Sequence, residues 1–317
     1  MDPSVRFFME RLIDYAGLFP PAELPLEAAI QNYNRYGHDQ DSWMLGRFVV
    51  PVSRLGELAS YKAMFSEDHP LLLSIVGNRS RSKEECSELL TGSLDRIQTF
   101  RNQYQKAVGI DTLEWPLPPV PIGAHLLDAI GRETSKAGLR TFCELTYALD
   151  SRWQSNLLEA LDHIAAHNSV SEAKIGMKLR TGGVTADAYP APSQIAIVLE
   201  ACRDRNIPMK FTAGLHHPVR MYRYEVNAKM HGFLNVFFAG MLAHAHKLDS
   251  KSIAEIIEDE NPDNFNFTGE GIRWRSLSMT SAEIRSCRKA ALSAYGSCSF
   301  DEPRDEMREL HKLGQRS

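Results

Sequence analysis

The chain has 317 residues, with 36 Lys and Arg against 40 Asp and Glu and a formal net charge of −4. Hydrophobic residues make up 43% and charged residues 24%, which suits a full-sized core and excludes a disordered chain. The mixed signs leave no basic footprint for nucleic acid, and the longest apolar stretch, Phe233 to Ala243, is interrupted by Asn235 and too short to span a bilayer.

The first residues, M-D-P-S-V-R-F-F-M-E, carry acids where a signal peptide has a basic region. Five cysteines lie far apart with no C-x-x-C. The expectation is a cytoplasmic protein with free thiols, a small-molecule substrate, and neither a nucleic-acid nor a membrane partner. The oligomeric state is not legible.

In chain order, strand-like runs alternate with helix-like runs at intervals of roughly 30 to 45 residues. Leu12 to Phe19 reads as a strand stopped by Pro20-Pro21, and Leu26 to Tyr36 as a helix. Phe48 to Val52 is the second strand, followed by a helix from Ser53 to Phe65. Leu71 to Val76 is the third, and Ser82-Lys83-Glu84-Glu85 caps a long helix reaching Tyr104. Ala107 to Glu114 is the fourth, with a helix from Ile122 to Gly138 beyond the proline-rich segment. Arg140 to Tyr147 is the fifth, with a helix from Ser151 to His167.

The sixth and seventh runs are K-I-G-M-K-L-R-T-G-G and M-K-F-T-A-G-L-H-H-P-V-R, separated by a helical pattern from Ser193 to Arg205. A helix is predicted from Met221 to His246. The eighth strand is assigned to Phe265–Trp274, before a helix whose start carries Thr280-x-x-Glu283. Eight such units predict an α/β fold, a parallel (β/α)₈ TIM-type barrel. It is expected as one domain over residues 1–317, with a helical C-terminal extension from about residue 296. An open doubly wound sheet is the alternative, but no G-x-G-x-x-G follows the first strand.

Period-two alternation puts Gly176, Lys178 and Arg180 on one face of the sixth strand, and Lys210, Thr212 and Gly214 on one face of the seventh. Buried cations are costly. Two ammonium groups on neighbouring strands repel each other, and burial adds desolvation, so both lysines are expected to have lowered pKa values. A neutral amine attacks carbonyl carbon to give an iminium, an electron sink. The other role open to the pair is structural, in ion pairs with Glu144, Asp14 or Glu114.

M-K-L-R-T-G-G followed by M-K-F-T-A-G resembles the sixth and seventh strands of the class I deoxyribose-phosphate aldolases, and R-T-F-C-E-L-T resembles their fifth. The likeness covers about 50 residues at motif level. It implies that Lys178 forms a Schiff base and that Lys210 tunes it. Arg180 departs from the small residue of that family, and H-H-P replaces its glycine-rich phosphate turn, so a phosphorylated substrate is not implied. D-Y-A-G-L-F-P-P-A, K-F-T-A-G-L-H-H-P and G-S-C-S-F-D-E-P are similar to segments of uncharacterised bacterial proteins, a likeness that implies no activity.

The expected catalytic set is therefore Lys178, Lys210, Glu144 and His216, the last two moving protons. The expected substrate-binding set is Arg180, Gly182, Gly183, Thr212, His217 and Asp14, with Arg180 holding an anionic group and the glycines offering backbone N–H groups. Arg220 is a further candidate clamp. No cofactor is expected in this reading. One alternative is a metal-dependent hydrolase or isomerase with a divalent metal on His216, His217, Glu144 and Asp14, although no H-E-x-x-H occurs. The other is a barrel that binds a small molecule without chemistry. Cys298 is read as structural, because Asp301 and Glu302 nearby would raise its pKa.

Overall fold

The computed structural model describes residues 2–146 and 150–310. In chain order come α1 (Pro3–Met9), β1 (Ile13–Tyr15), α2 (Leu26–Gly37), β2 (Leu45–Pro51), a 3₁₀ stretch over Val52–Met64, β3 (Leu71–Val76), α3 (Lys83–Tyr104), β4 (Val108–Pro116), α4 (Ala124–Lys136), β5 (Arg140–Glu144), α5 (Trp153–Val170), β6 (Ile175–Arg180), α6 (Pro192–Asp204) and β7 (Met209–Thr212). An antiparallel hairpin follows, β8 (Met221–Arg223) with β9 (Ala228–Met230), then α7 (Phe233–His246) and α8 (Ser250–Glu258). A three-stranded antiparallel sheet comes next, β10 (Phe265–Phe267), β11 (Gly271–Trp274) and β12 (Leu277–Thr280). Last come α9 (Ser281–Ala290), β13 (Leu292–Ser297) and α10 (Asp301–Glu309).

Strands β1 to β7 and β13 close into a barrel in the order β1-β13-β7-β6-β5-β4-β3-β2, every pair parallel. The fold is thus the predicted (β/α)₈ barrel. Its strands read as near-continuous apolar runs, as L-L-L-S-I-V does, because helices cover the outer face while side chains fill the inside. Ser82 accepts a hydrogen bond from the Glu85 N–H at 3.2 Å, and the Glu85 carboxylate accepts from the Arg81 N–H at 2.7 Å. The start of α3 is therefore capped as its sequence predicts.

Three predicted elements are corrected. Phe265–Trp274 does not close the barrel: it forms two strands of the small sheet, turned where the Thr268 N–H donates to the Gly271 carbonyl at 2.8 Å. The closing strand is L-S-A-Y-G-S, which has few β-branched or aromatic residues to signal it. Gly296 and Ser297, expected in a helical extension, are its last two residues. The helix predicted from Met221 begins only at Phe233, because Asn227 takes φ +51° and turns the chain into the β8–β9 hairpin. Tyr147, the predicted end of the fifth strand, and residues 311–317 lie outside the described residues.

Helix α7 explains its own apolar composition. Phe237 packs on Phe211 of β7, with ring centroids 5.1 Å apart, while Phe238 packs on Phe265 of the small sheet at 5.4 Å. A helix covered on two sides has no face left for polar residues. Asn235, the polar residue of its first turn, is fully buried. Its Oδ1 accepts from the Arg220 N–H at 2.8 Å, and its Nδ2 donates to the Ile256 and Asp259 carbonyls at 3.0 and 2.7 Å. It satisfies free carbonyls at the end of α8. Among the described residues no helix is long and apolar enough to cross a membrane.

Candidate functional site

The barrel register puts Lys178 beside Lys210 and Glu144 beside Lys178. All three side chains point inward at the C-terminal end of the barrel, where Glu114 of β4 and Asp14 of β1 meet them. Lys178 Nζ lies 2.7 Å from Glu114 Oε2 and 2.9 Å from Glu144 Oε2. Lys210 Nζ lies 3.0 Å from Glu114 Oε1 and is also paired with Asp14. Ser74 Oγ donates to Glu114 Oε1 at 2.7 Å, the Arg47 N–H donates to Asp14 Oδ1 at 2.6 Å, and Arg180 reaches Glu144 Oε1 at 3.2 Å.

The two lysines therefore do not face each other bare, as the sequence reading expected. Glu114 stands between them, and three carboxylates balance two ammonium groups and one guanidinium. Burial alone would lower the Lys178 pKa, but Glu114 and Glu144 outweigh it and raise the pKa above its ordinary value. That corrects the expected lowering. Burial pushes the Glu114 carboxyl up, yet Lys178 and Lys210 hold it well below the usual carboxylate range. Glu144 is lowered in the same way, its burial overcome by Lys178 and Arg180.

Above this cluster opens a cavity of about 490 Å³ at the barrel mouth. Lys178, Glu114 and Glu144 form its floor, and Arg79, Arg180 and His216 contribute to its wall. A smaller apolar recess of about 210 Å³ adjoins it, sharing Lys178, Glu144 and Arg180 and lined also by Trp153, Leu157 and Ile195. Of the two lysines, Lys178 touches the cavity, whereas Lys210 lies sealed beneath with Asp14.

The other predicted residues divide. Thr212, Gly182 and Gly183 line the cavity. Gly182 is required for packing: a Cβ there would lie 2.5 Å from the Tyr189 ring and 2.9 Å from Gly214 Cα. His216 lines the cavity, while His217 turns away, with its Nδ1 2.6 Å from both Glu306 Oε1 and Arg223 Nη2. Arg220 sits outside the cavity and contacts His231 Nδ1 at 2.9 Å.

The set proposed for a divalent metal, with Asp14 and Glu144, is not assembled, since both carboxylates are engaged by cations. His217, Glu302 and Glu306 bring one polar atom each within 4.8 Å of one another. The Arg223 guanidinium already contacts His217 and Glu306 there, so the group is an ion-pair cluster.

Glu114, Ser74 and Arg79 are the site residues that sequence reasoning left out of its set. Glu114 carried a usable signal: in V-G-I-D-T-L-E-W-P it shares a face with Thr112, and that face is the inward one. Nothing local marks Ser74 or Arg79.

Comparison with protein-family models gives no match, and comparison with curated proteins gives none either. Among solved structures, the carboxyl transferase domain of Rhizobium etli pyruvate carboxylase with pyruvate and biocytin aligns over 98% of this chain and 56% of its own, with TM-score 0.44 and 11% identity. A variant of that domain with pyruvate covers the same shares at TM-score 0.42 and 12% identity. A variant of the whole enzyme, crystallized without acetyl coenzyme A, aligns over 91% of this chain and 29% of its own, at TM-score 0.41 and 11% identity. This chain thus spans little more than half the length of the first two. The barrel stands on its own strand pairing and not on these likenesses.

Proposed function

We propose that this barrel is a lysine-dependent lyase of aldolase type that acts on a small, anionic carbonyl compound through a Schiff base on Lys178. One observation carries the reading: a buried lysine at the floor of a mouth cavity has a carboxylate on each side, at 2.7 and 2.9 Å. At rest Lys178 is an ammonium ion. An arriving carbonyl group displaces one ion pair, and Glu144 or Glu114 takes the proton from Nζ.

The amine adds to the carbonyl carbon, and the carbinolamine, taking that proton back from the carboxylic acid, loses water to leave an iminium. The carboxylate then takes the proton of a β-hydroxyl group as the bond between the α and β carbons breaks. The electron pair of that bond passes into the iminium, giving an enamine, and the other fragment leaves as an aldehyde. The protonated carboxylate returns its proton to the enamine carbon, and water releases the product. Arg180 and Arg79 on the cavity wall suit a carboxylate or similar anion on the substrate. Lys210, sealed below, keeps Glu114 ionised and in place.

Borohydride reduction with a panel of aldehydes and keto acids tests this. A reduced adduct on Lys178 is expected, absent from Lys178→Met, with trapping faster as pH rises from 7 to 10 because the resting ammonium must lose its proton. No adduct with any member of the panel would sink the reading. A barrel that binds such an anion without turning it over is the second reading, favoured by the complete pairing of both lysines. Ligand-induced thermal stabilisation without an adduct would select it.

A further inference from the structure

The same cavity carries a nucleophile of a different kind. Cys298 follows β13 directly and lines the mouth cavity, whereas Cys86, Cys143, Cys202 and Cys287 lie outside it. Its Sγ is 3.7 Å from His216 Nδ1 and 4.0 Å from Nε2. His216 Nδ1 is 3.3 Å from Glu302 Oε2 in the first turn of α10, and the Glu302 N–H is held by Ser299 Oγ at 3.1 Å. With Nδ1–H given to Glu302, Nε2 is the ring atom free to take the thiol proton. A thiol, an imidazole and an orienting carboxylate in this order make an activated nucleophile.

The two acids that follow Cys298 in sequence, which would otherwise repel a thiolate, are both engaged elsewhere. Glu302 faces His216. Asp301 accepts from Tyr36 Oη at 2.7 Å and pairs with Arg304 at 2.7 Å. Burial lowers the His216 pKa, but Cys298 and Glu302 outweigh it and raise it to about 9, which favours an imidazolium beside the sulfur.

We propose that Cys298, activated by His216 and Glu302, adds covalently and reversibly to the carbonyl carbon of a small aldehyde held in the mouth cavity. The sulfur–carbon bond forms as the carbonyl π pair moves to oxygen. The thiol proton passes through His216 to that oxygen, so the product is a thiohemiacetal and no oxidant or reductant is consumed. This does not depend on Schiff-base chemistry at Lys178.

The test is competitive alkylation of the full chain at neutral pH with limiting iodoacetamide, mapped by peptide mass spectrometry. The sulfur displaces iodide, which leaves with its electron pair. Cys298 is expected to be modified first, about tenfold faster than in Glu302→Gln or His216→Gln, because either change removes the oriented base that takes the thiol proton. Millimolar propionaldehyde is expected to protect it, and the protection to vanish when the aldehyde is removed, as a reversible thiohemiacetal requires. Thermal melts identify any variant that fails to fold, and Glu302→Gln, at a partly exposed position, is the gentler of the two. Labelling of Cys298 no faster than that of glutathione, equal rates in a folded Glu302→Gln, or no protection by the aldehyde would each overturn the proposal. Protection that persists after borohydride reduction and removal of the aldehyde, with the adduct mapped to Lys178, would show that the aldehyde sits on the lysine instead, which also overturns it.

Discussion

Replacing Glu114 by Gln removes the charge that separates two buried ammonium groups. Its oxygens lie 2.7 Å from Lys178 and 3.0 Å from Lys210. At an effective dielectric of about 20, each contact amounts to about 6 kcal/mol of Coulomb attraction. Much of that is returned, because Gln no longer suffers the desolvation of a buried carboxylate. Breaking a buried pair by removing one partner costs about 3–5 kcal/mol net, and that is the expected loss. For a chain of this length it corresponds to a fall in Tm of roughly 4–8 °C.

Urea unfolding followed by circular dichroism at pH 7 measures the loss, with thermal melts as a second readout. Arg54→Ala is the control: its exposed pair with Glu57 at 2.8 Å is expected to contribute less than about 1 kcal/mol. Adding Lys178→Met to Glu114→Gln removes one of the stranded cations, so the double variant is expected to be more stable than the two single losses predict, by about 1–3 kcal/mol. A loss below about 1 kcal/mol for Glu114→Gln, or strict additivity in the cycle, would mean that Glu114 does not bridge the lysines.

Two pH windows follow from the shifted groups. The His216 pKa is raised to about 9, so the stability it contributes is complete below the unfolded value of about 6.5. That contribution is lost as pH rises through about 9, and a melt series from pH 6 to 10 is expected to show the decline in wild type and its absence in His216→Gln. Glu114 and Glu144 are lowered, so their contribution is present above the unfolded value of about 4.3 and is lost as pH falls below it. Glu114→Gln is therefore expected to flatten the acid limb of the stability curve.

Gly46→Ala would drive a Cβ to 2.1 Å from Asp14 Oδ1, while at Gly296 the nearest atom is Thr212 Oγ1 at 3.5 Å. The first is expected to cost about 1–3 kcal/mol by overpacking and the second less than about 1 kcal/mol, measured by urea unfolding. Asn235→Ala strands the backbone groups its amide serves and is expected to cost more than about 2 kcal/mol. An effect within 0.5 kcal/mol of zero would remove its assignment as the staple of α8.

Local patterns along the chain are enough to predict the barrel and most of its strands. Period-two alternation and the capping residues of α3 and α9 are local signals, and both act within a few residues. Alternation also puts Lys178 and Lys210 each on the polar face of its strand, because a strand's alternation needs no knowledge of its neighbours. Glu144 shares a face with Phe142 and Thr146, but alternation alone does not say which way that face points. What those side chains meet depends on the packing of the closed barrel. Strand order and register brought Glu114 between the two lysines, so the expected repulsion became a balanced cluster and the Lys178 pKa rose instead of falling. The closing strand escaped detection because a buried barrel strand of small residues owes its place to β1 and β7 and not to its own composition. Cys298 changed most. In the chain it is flanked by acids, but in space Glu302 and Asp301 turn to other partners and leave the thiol facing His216 across the cavity wall.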